Sequence, residues 1–355
     1  MAEVPATTSG PYKFHHFPQL DGFRGIAVIF VVAGHCLEWG GFSPFPSQVG
    51  YVLSRAGVFL FFVLSGFLIT GLLQREKSEK GTIDFKRFYI RRALRLGPAL
   101  LTFLFVIVIL RSLGLIQGLA TYEILACLLY ARNFFGRSTA LTHIWSLSLE
   151  EQFYLCWPGV FNLIRQKRAL LVTALITSTI AIWRGLAIHY ELFEYRLGIY
   201  YMRPYFRFDS ILIGAVLIIG LQTNERFHSA ALKFSRIVPA GVLWLCFALW
   251  TYYGEALNRS NYLTLQMLLI AAILCQLALG ESPVSQFIFR NKVLGYFGKI
   301  SYALYLWQEI FLVTKTPSWG ILRQFPVNVF ACVLLAMLSY HVIESPALRL
   351  KQHFE

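Results

Sequence analysis

Apolar residues in this chain gather into long runs, mostly about 17–22 residues, a length matched to the hydrocarbon thickness of a bilayer. Ten runs can be read: Gly22–Trp39, Tyr51–Leu73, Ala93–Leu115, Trp145–Leu163, Ala169–Ile188, Phe208–Leu221, Val238–Tyr253, Leu263–Leu279, Ile300–Val313 and Val327–Ile343. A further apolar stretch, Tyr122–Ala131, follows directly on Thr121 and is too short to cross. It predicts a re-entrant or interfacial helix whose ends are buried in protein. The sequence has no internal repeat, low-complexity tract or long linker. The pattern therefore predicts an all-α polytopic membrane protein of about ten transmembrane helices. A polar tail over 1–16, one membrane domain over 17–348 and a short tail over 349–355 complete it, with no appended soluble domain expected.

Composition agrees. The 355 residues are 57% hydrophobic and 14% charged, against about 45–50% and about 25% in soluble domains. A soluble enzyme, a disordered chain and an ordinary nucleic-acid-binding domain are excluded. The net charge of +14 sits between the apolar runs, where membrane topology accounts for it. Basic residues crowd Arg75–Arg95, then recur at Arg165, Lys167 and Arg168, at Arg226, Lys233 and Arg236, and at Arg290, Lys292 and Lys299. Alternate loops keep few, mainly Arg132, Arg137, Arg196, Arg203 and Arg259. Ten crossings with both termini cytoplasmic place the dense set inside; an extra crossing at Tyr122 would break the pattern. Met1–His16 is polar and the first apolar run is too long for a leader, so no signal peptide is expected. Six cysteines lie in or beside apolar runs without metal-ligand spacing and read as small buried side chains.

Charge at the centre of a span costs at least about 2.5–3.5 kcal/mol, so each intramembrane ionisable residue needs a reason. Arg24 and His35 lie eleven positions apart in the first span, on one helical face and about 16 Å apart along the axis. Glu38, one turn beyond His35, is placed to orient its imidazole. The stretch His143-Ile144-Trp145-Ser146-Leu147-Ser148-Leu149-Glu150-Glu151-Gln152 opens the fourth span at the same depth as His35. Its two adjacent carboxylates cannot both face lipid, although acidic residues at a helix start also complement the dipole. Before the third span, Arg91, Arg92 and Arg95 fall at helical spacing and suit phosphate binding; anionic lipid headgroups would also attract them. Arg207 and Asp209 begin the sixth span, and Glu309 and Glu344 are further buried acids. Ser65-Gly66-Phe67 reads as close helix packing. No nucleophile elbow, phosphate loop or zinc pattern is present.

These pieces, in this order, resemble the acyltransferase-3 family. The matching residues are Leu20-Asp21-Gly22-Phe23-Arg24-Gly25 with His35, Phe61–Ile69, Phe88–Arg95 with Pro98, Trp145–Tyr154, Arg207-Phe208-Asp209, Ile300–Trp307 and Ile343-Glu344-Ser345-Pro346. They cover about residues 17 to 348. The resemblance implies a ten-helix domain in the bacterial inner membrane. Such a domain moves an acyl group, usually acetyl, from cytoplasmic acyl-coenzyme A to a carbohydrate or glycolipid hydroxyl, with no metal. Gln308 departs from the family pattern, in which many members carry His after Leu-Trp.

Those implied roles can be distributed over the residues. His35 becomes the general base, held by Glu38 or Glu150. Arg24, Arg91, Arg92 and Arg95 bind the donor. Trp145, Ser146, Glu151, Arg207 and Asp209 line the acceptor cavity. A transporter or exporter of a glycolipid or small solute is the alternative, although no inverted repeat or pair of broken helices is visible.

Overall fold

Inside a bilayer the backbone must bond to itself, so long apolar runs fold as helices. The computed structural model describes residues 12, 17–39, 46–136, 138–192, 202–257, 262–280, 282–314 and 317–351. Arg137, Arg196, Arg259 and all of the N-terminal tail except Tyr12 lie outside them. The helices are α1 (Pro18–Trp39), α2 (Ser47–Lys80), α3 (Phe85–Ser112), α4 (Thr121–Leu128), α5 (Ile144–Leu163), α6 (Ala169–His189), α7 (Pro204–Thr223) and α8 (Glu225–Ile237). They continue with α9 (Ala240–Leu257), α10 (Tyr262–Leu279), α11 (Pro283–Phe289), α12 (Lys292–Lys299), α13 (Ser301–Leu312), α14 (Val327–Ser339) and α15 (Ser345–Lys351). No strand occurs among the described residues.

Every predicted run coincides with a helix, but the count of ten crossings is not met by length and composition. Seven helices are long and apolar enough to cross, and α8 with α9, bent by 90°, make an eighth. Two predicted spans fall short for different reasons. α5 carries Ser146, Ser148, Glu150, Glu151 and Gln152 within its first half. α13 has 12 residues, about 18 Å, against a hydrocarbon core of about 30 Å. All residues of α13 except Tyr302 are buried, so it is an internal helix surrounded by protein. The short Tyr122 stretch is α4, eight residues long. Glu123 Oε2 accepts from the N–H of Ala120 at 3.1 Å, and its Oε1 accepts from the N–H of Ser138 at 2.8 Å. Those bonds satisfy the backbone at the start of α4 and in the following loop.

The helices assemble around two apolar cores. One joins α1, α2, α5, α7 and α10 through Phe23, Phe59, Phe67, Leu149, Ile211 and Met267. The other joins α1, α3, α13 and α14 through Val28, Phe103, Leu304, Trp307 and Cys332. Phe61 and Leu147 touch both, and the polar interior lies beside them. Outside, Leu155, Leu171, Leu245 and Phe330 are exposed, the face of an integral membrane protein. Cys156 and Cys246 are also exposed, so two of the six cysteines are not the buried side chains expected.

Backbone contact sets the spacing of the central helices. Where α2 crosses α7, a Cβ on Gly66 would lie 1.8 Å from the carbonyl oxygen of Ile211. One on Gly214 would lie 1.9 Å from that of Val63. The end of α5 is closed by Lys77 of α2, whose Nζ donates to the carbonyls of Phe161, Asn162 and Ile164 at 2.9–3.3 Å. Three donors on one ammonium thereby satisfy carbonyls that a helix terminus leaves unpaired.

Asp209 is an anchor rather than a cavity residue. It is fully buried and its Oδ1 pairs with Nη1 of Arg184 of α6 at 2.6 Å. Arg184 also donates to the carbonyl of Phe206 at 2.9 Å and to Thr264 Oγ1 at 2.7 Å, tying α6, α7 and α10 together. Arg207, two positions before Asp209, points to the opposite side of α7.

Two outcomes follow from this packing. Gly66→Val should destabilise the protein by about 1–3 kcal/mol, seen as a lower melting temperature in detergent. Gly97→Ala, where no atom lies within 4 Å of the new Cβ, should not. Arg184→Met, which strands a buried carboxylate, should cost about 3–5 kcal/mol. The double variant Arg184→Met/Asp209→Leu should recover most of that loss in the same measurement.

Candidate functional site

α1 runs through the polar interior and delivers its two ionisable residues to different cavities. Arg24 lines a cavity of about 540 Å³ at the end of the bundle that carries the α2–α3 turn. Arg75, Arg92, Arg95 and Lys299 line it too, facing Asp21, Glu150 and Glu344, so cations outnumber carboxylates. Arg24 Nη2 donates to Ser301 Oγ at 3.1 Å. Arg92 stacks over the Tyr154 ring at 3.5 Å and donates from Nε to Glu151 Oε1 at 3.2 Å. Arg95 makes no hydrogen bond or ion pair to another described residue. Glu344 ends a π-helical turn, Tyr340–Glu344, between α14 and α15, a distortion that often marks a functional position. A net positive, water-accessible cavity of this kind accommodates phosphate groups.

His35 lines a second cavity, of about 480 Å³, with Glu38, Arg55, His143, Trp145, Arg207, Tyr305 and Glu309 among its walls. Two imidazoles therefore face one space. His35 Nδ1 lies 2.6 Å from Gln308 Oε1, and His143 Nδ1 lies 2.5 Å from Glu309 Oε2. The same carboxylate oxygen accepts from the main-chain N–H of His143 at 3.0 Å. Trp145 closes one side, edge-on to Phe62 at 5.8 Å between centroids. Arg207 reaches the cavity over the Phe59 ring, 5.0 Å from its centroid.

Val58 and Tyr305 line both cavities. Tyr305 Oη donates to the carbonyl of His143 at 2.9 Å and lies 2.6 Å from Ser146 Oγ. The two spaces thus stand back to back across a thin wall of side chains, basic on one side and imidazole-lined on the other.

Several sequence expectations are rearranged by this geometry. Neither Glu38 nor Glu150 holds His35: Gln308 does, from α13. Glu150 lies in the basic cavity and accepts from Ser65 Oγ at 2.7 Å. Ser146 lies on the basic side of the wall, apart from Trp145. Glu151 is the partner of Arg92 and lines neither cavity. Arg91 turns away to Glu76, 3.8 Å from its Oε2. Arg24, Arg92 and Arg95 converge as expected, and so do His35, Glu38, Trp145 and Arg207. Sequence reasoning missed His143, Gln308 and Tyr305 as site residues and left Glu309 unassigned. The available signals were the adjacency of Gln308 and Glu309 in a short, otherwise apolar run and the place of His143 at the depth of His35.

Comparison with known proteins bears on this arrangement. The chain is 29% identical over 366 residues to the peptidoglycan O-acetyltransferase OatA of Listeria monocytogenes, covering 94% of this chain and 56% of the relative. It is 30% identical over 371 residues to the provisionally named peptidoglycan O-acetyltransferase YrhL of Bacillus subtilis, covering 94% and 55%. A provisionally named O-acetyltransferase of Staphylococcus aureus is 29% identical over 369 residues, covering 94% and 58%. The chain therefore spans just over half the length of these relatives. No solved structure matches it. Residues 17–341 match the acyltransferase domain that defines the acyltransferase-3 family, and the chain, with its paired cavities inside that span, belongs to this family.

Proposed function

We propose that this chain is a transmembrane O-acyltransferase of the bacterial cytoplasmic membrane. It takes an acyl group, acetyl in the first instance, from acyl-coenzyme A at the cytoplasmic side and delivers it to a carbohydrate hydroxyl at the opposite face. The observation that carries the reading is the division of α1, with Arg24 in the basic cavity and His35 in the imidazole cavity. The eleven residues between them span about 16 Å, a distance suited to the extended pantetheine arm of coenzyme A. The coenzyme's phosphates rest against Arg24, Arg92 and Arg95, and its thioester reaches the Tyr305 wall. The acceptor hydroxyl enters from the other side. There, one of the two imidazoles, His35 or His143, takes its proton. The dense basic residues of the α2–α3 turn support the cytoplasmic placement of the donor end. The names of the relatives support a cell-wall or related glycan as acceptor.

The reading is tested by mass spectrometry of cell-surface glycans with and without the protein. Loss of ester-linked acetate from a defined sugar is expected on its removal, and an unchanged acetylation pattern would sink the proposal. Arg95→Ala should raise the KM for acetyl-coenzyme A about 10- to 100-fold, the loss of a charge-assisted phosphate contact of about 1.5–3 kcal/mol. Its melting temperature should stay unchanged, because Arg95 supports no other described side chain. His35→Ala should strongly lower acetylation while the protein still reaches the membrane.

A further inference from the structure

Two consecutive residues of α13 hold the two imidazoles, and they do so with different chemistry. Gln308 presents a neutral amide oxygen to His35 Nδ1 at 2.6 Å. Glu309 presents a carboxylate oxygen to His143 Nδ1 at 2.5 Å, and that oxygen is fixed by the main-chain N–H of His143 at 3.0 Å. The Gln308 oxygen draws the His35 ring proton to Nδ1 and leaves its lone pair on Nε2; the Glu309 carboxylate stands at ion-pair distance from His143 Nδ1 without a hydrogen bond to it. The amide brings no charge of its own to His35, whereas the Glu309 carboxylate, against His143 Nδ1, is positioned to stabilise an imidazolium there as it forms.

His143 carries a second mark. Its side chain is 1% exposed and lines the imidazole cavity, yet neither ring nitrogen has a hydrogen-bond partner among the described residues. The ring is fixed between Phe103 and Tyr305, with centroids at 5.6 and 5.5 Å. Buried ring nitrogens without partners are costly to maintain, and a hydroxyl brought against the ring would satisfy one of them.

We infer that His143 is the catalytic base and Glu309 its positioning residue, with His35, held by a neutral amide, orienting the acceptor beside it. The inference rests on the acyl-transfer reading above. In the step, the acceptor O–H gives its proton to His143 Nε2 as its oxygen forms a bond to the thioester carbonyl carbon. The C–S bond then breaks with its electron pair on sulfur. The imidazolium returns the proton to that thiolate, leaving an ester, free coenzyme A and neutral His143.

The test uses membrane vesicles from cells that make the full chain, supplied with radiolabelled acetyl-coenzyme A, and reads alkali-labile label in glycan. His143→Gln should lower kcat about 10²- to 10⁴-fold, the range for loss of a general base, with the KM for acetyl-coenzyme A unchanged. Added imidazole should restore label to His143→Ala, which a purely structural defect would not allow. Glu309→Gln should lower kcat with an unchanged KM, and Glu309→Asp should recover part of it. The swap Gln308→Glu/Glu309→Gln should make transfer depend on His35 in place of His143. A His143→Gln protein with wild-type kcat overturns the inference alone. So does a His143→Ala protein that binds acetyl-coenzyme A normally and gains nothing from imidazole. Wild-type vesicles that incorporate no label overturn the acyl-transfer reading, and this inference with it.

Discussion

An ionised group inside a hydrocarbon layer must meet a counter-charge, a hydrogen-bond partner or a water-accessible cavity, and this constraint sorts the charged interior of the protein. Some groups are closed on each other. Arg184 and Asp209 bind α6 to α7 and line neither cavity, and the Glu123 carboxylate serves the backbone around α4 with Arg132 3.8 Å away. Others are left open toward space. Arg24, Arg95, Glu150 and Glu344 face one cavity, and His35, His143, Arg207 and Glu309 face the other. The closed pairs hold helices in place; the open groups also present their charge to a space that a ligand can enter. That division separates architecture from chemistry more cleanly than residue type does.

The open groups are held in register by packing that is unusually close in the middle of the bundle. The glycine contacts between α2 and α7 bring main chain against main chain, as expected where lipid offers no hydrophobic drive between helices and small residues let them approach. α13, enclosed on nearly every side, then places Tyr305, Gln308 and Glu309 at one level of the bundle. A short helix that could not cross a membrane alone is stable here because longer ones surround it.

Much of the helical layout was legible in the residues, because an apolar run of bilayer length has few alternatives. The shared face of Arg24 and His35 was legible too, since a spacing of eleven is three helical turns. What could not be read was which side chains meet across distant segments. Gln308 lies 273 positions from His35, and nothing local to either residue predicts the contact. Closeness in sequence misled in the opposite sense at Arg207 and Asp209, where two positions of helix send the side chains to opposite faces. It misled again at Trp145 and Ser146, neighbours that open onto different cavities. The count of ten crossings is not met by length at α13, whose run of 12 helical residues is surrounded by protein.

The wall between the cavities is made of side chains and not of backbone. Val58 and Tyr305 are the residues common to both faces, and the helices carrying them are fixed by the tight packing on either side. Joining the two spaces therefore asks little of the fold. It asks the Tyr305 phenol, beside Val58, to turn about its χ angles and give up its bonds to the His143 carbonyl and Ser146, each worth about 0.5–1.5 kcal/mol net. Rotamer exchange is far faster than helix rearrangement. The separation of the two spaces therefore rests on the Val58 and Tyr305 side chains and not on a helix.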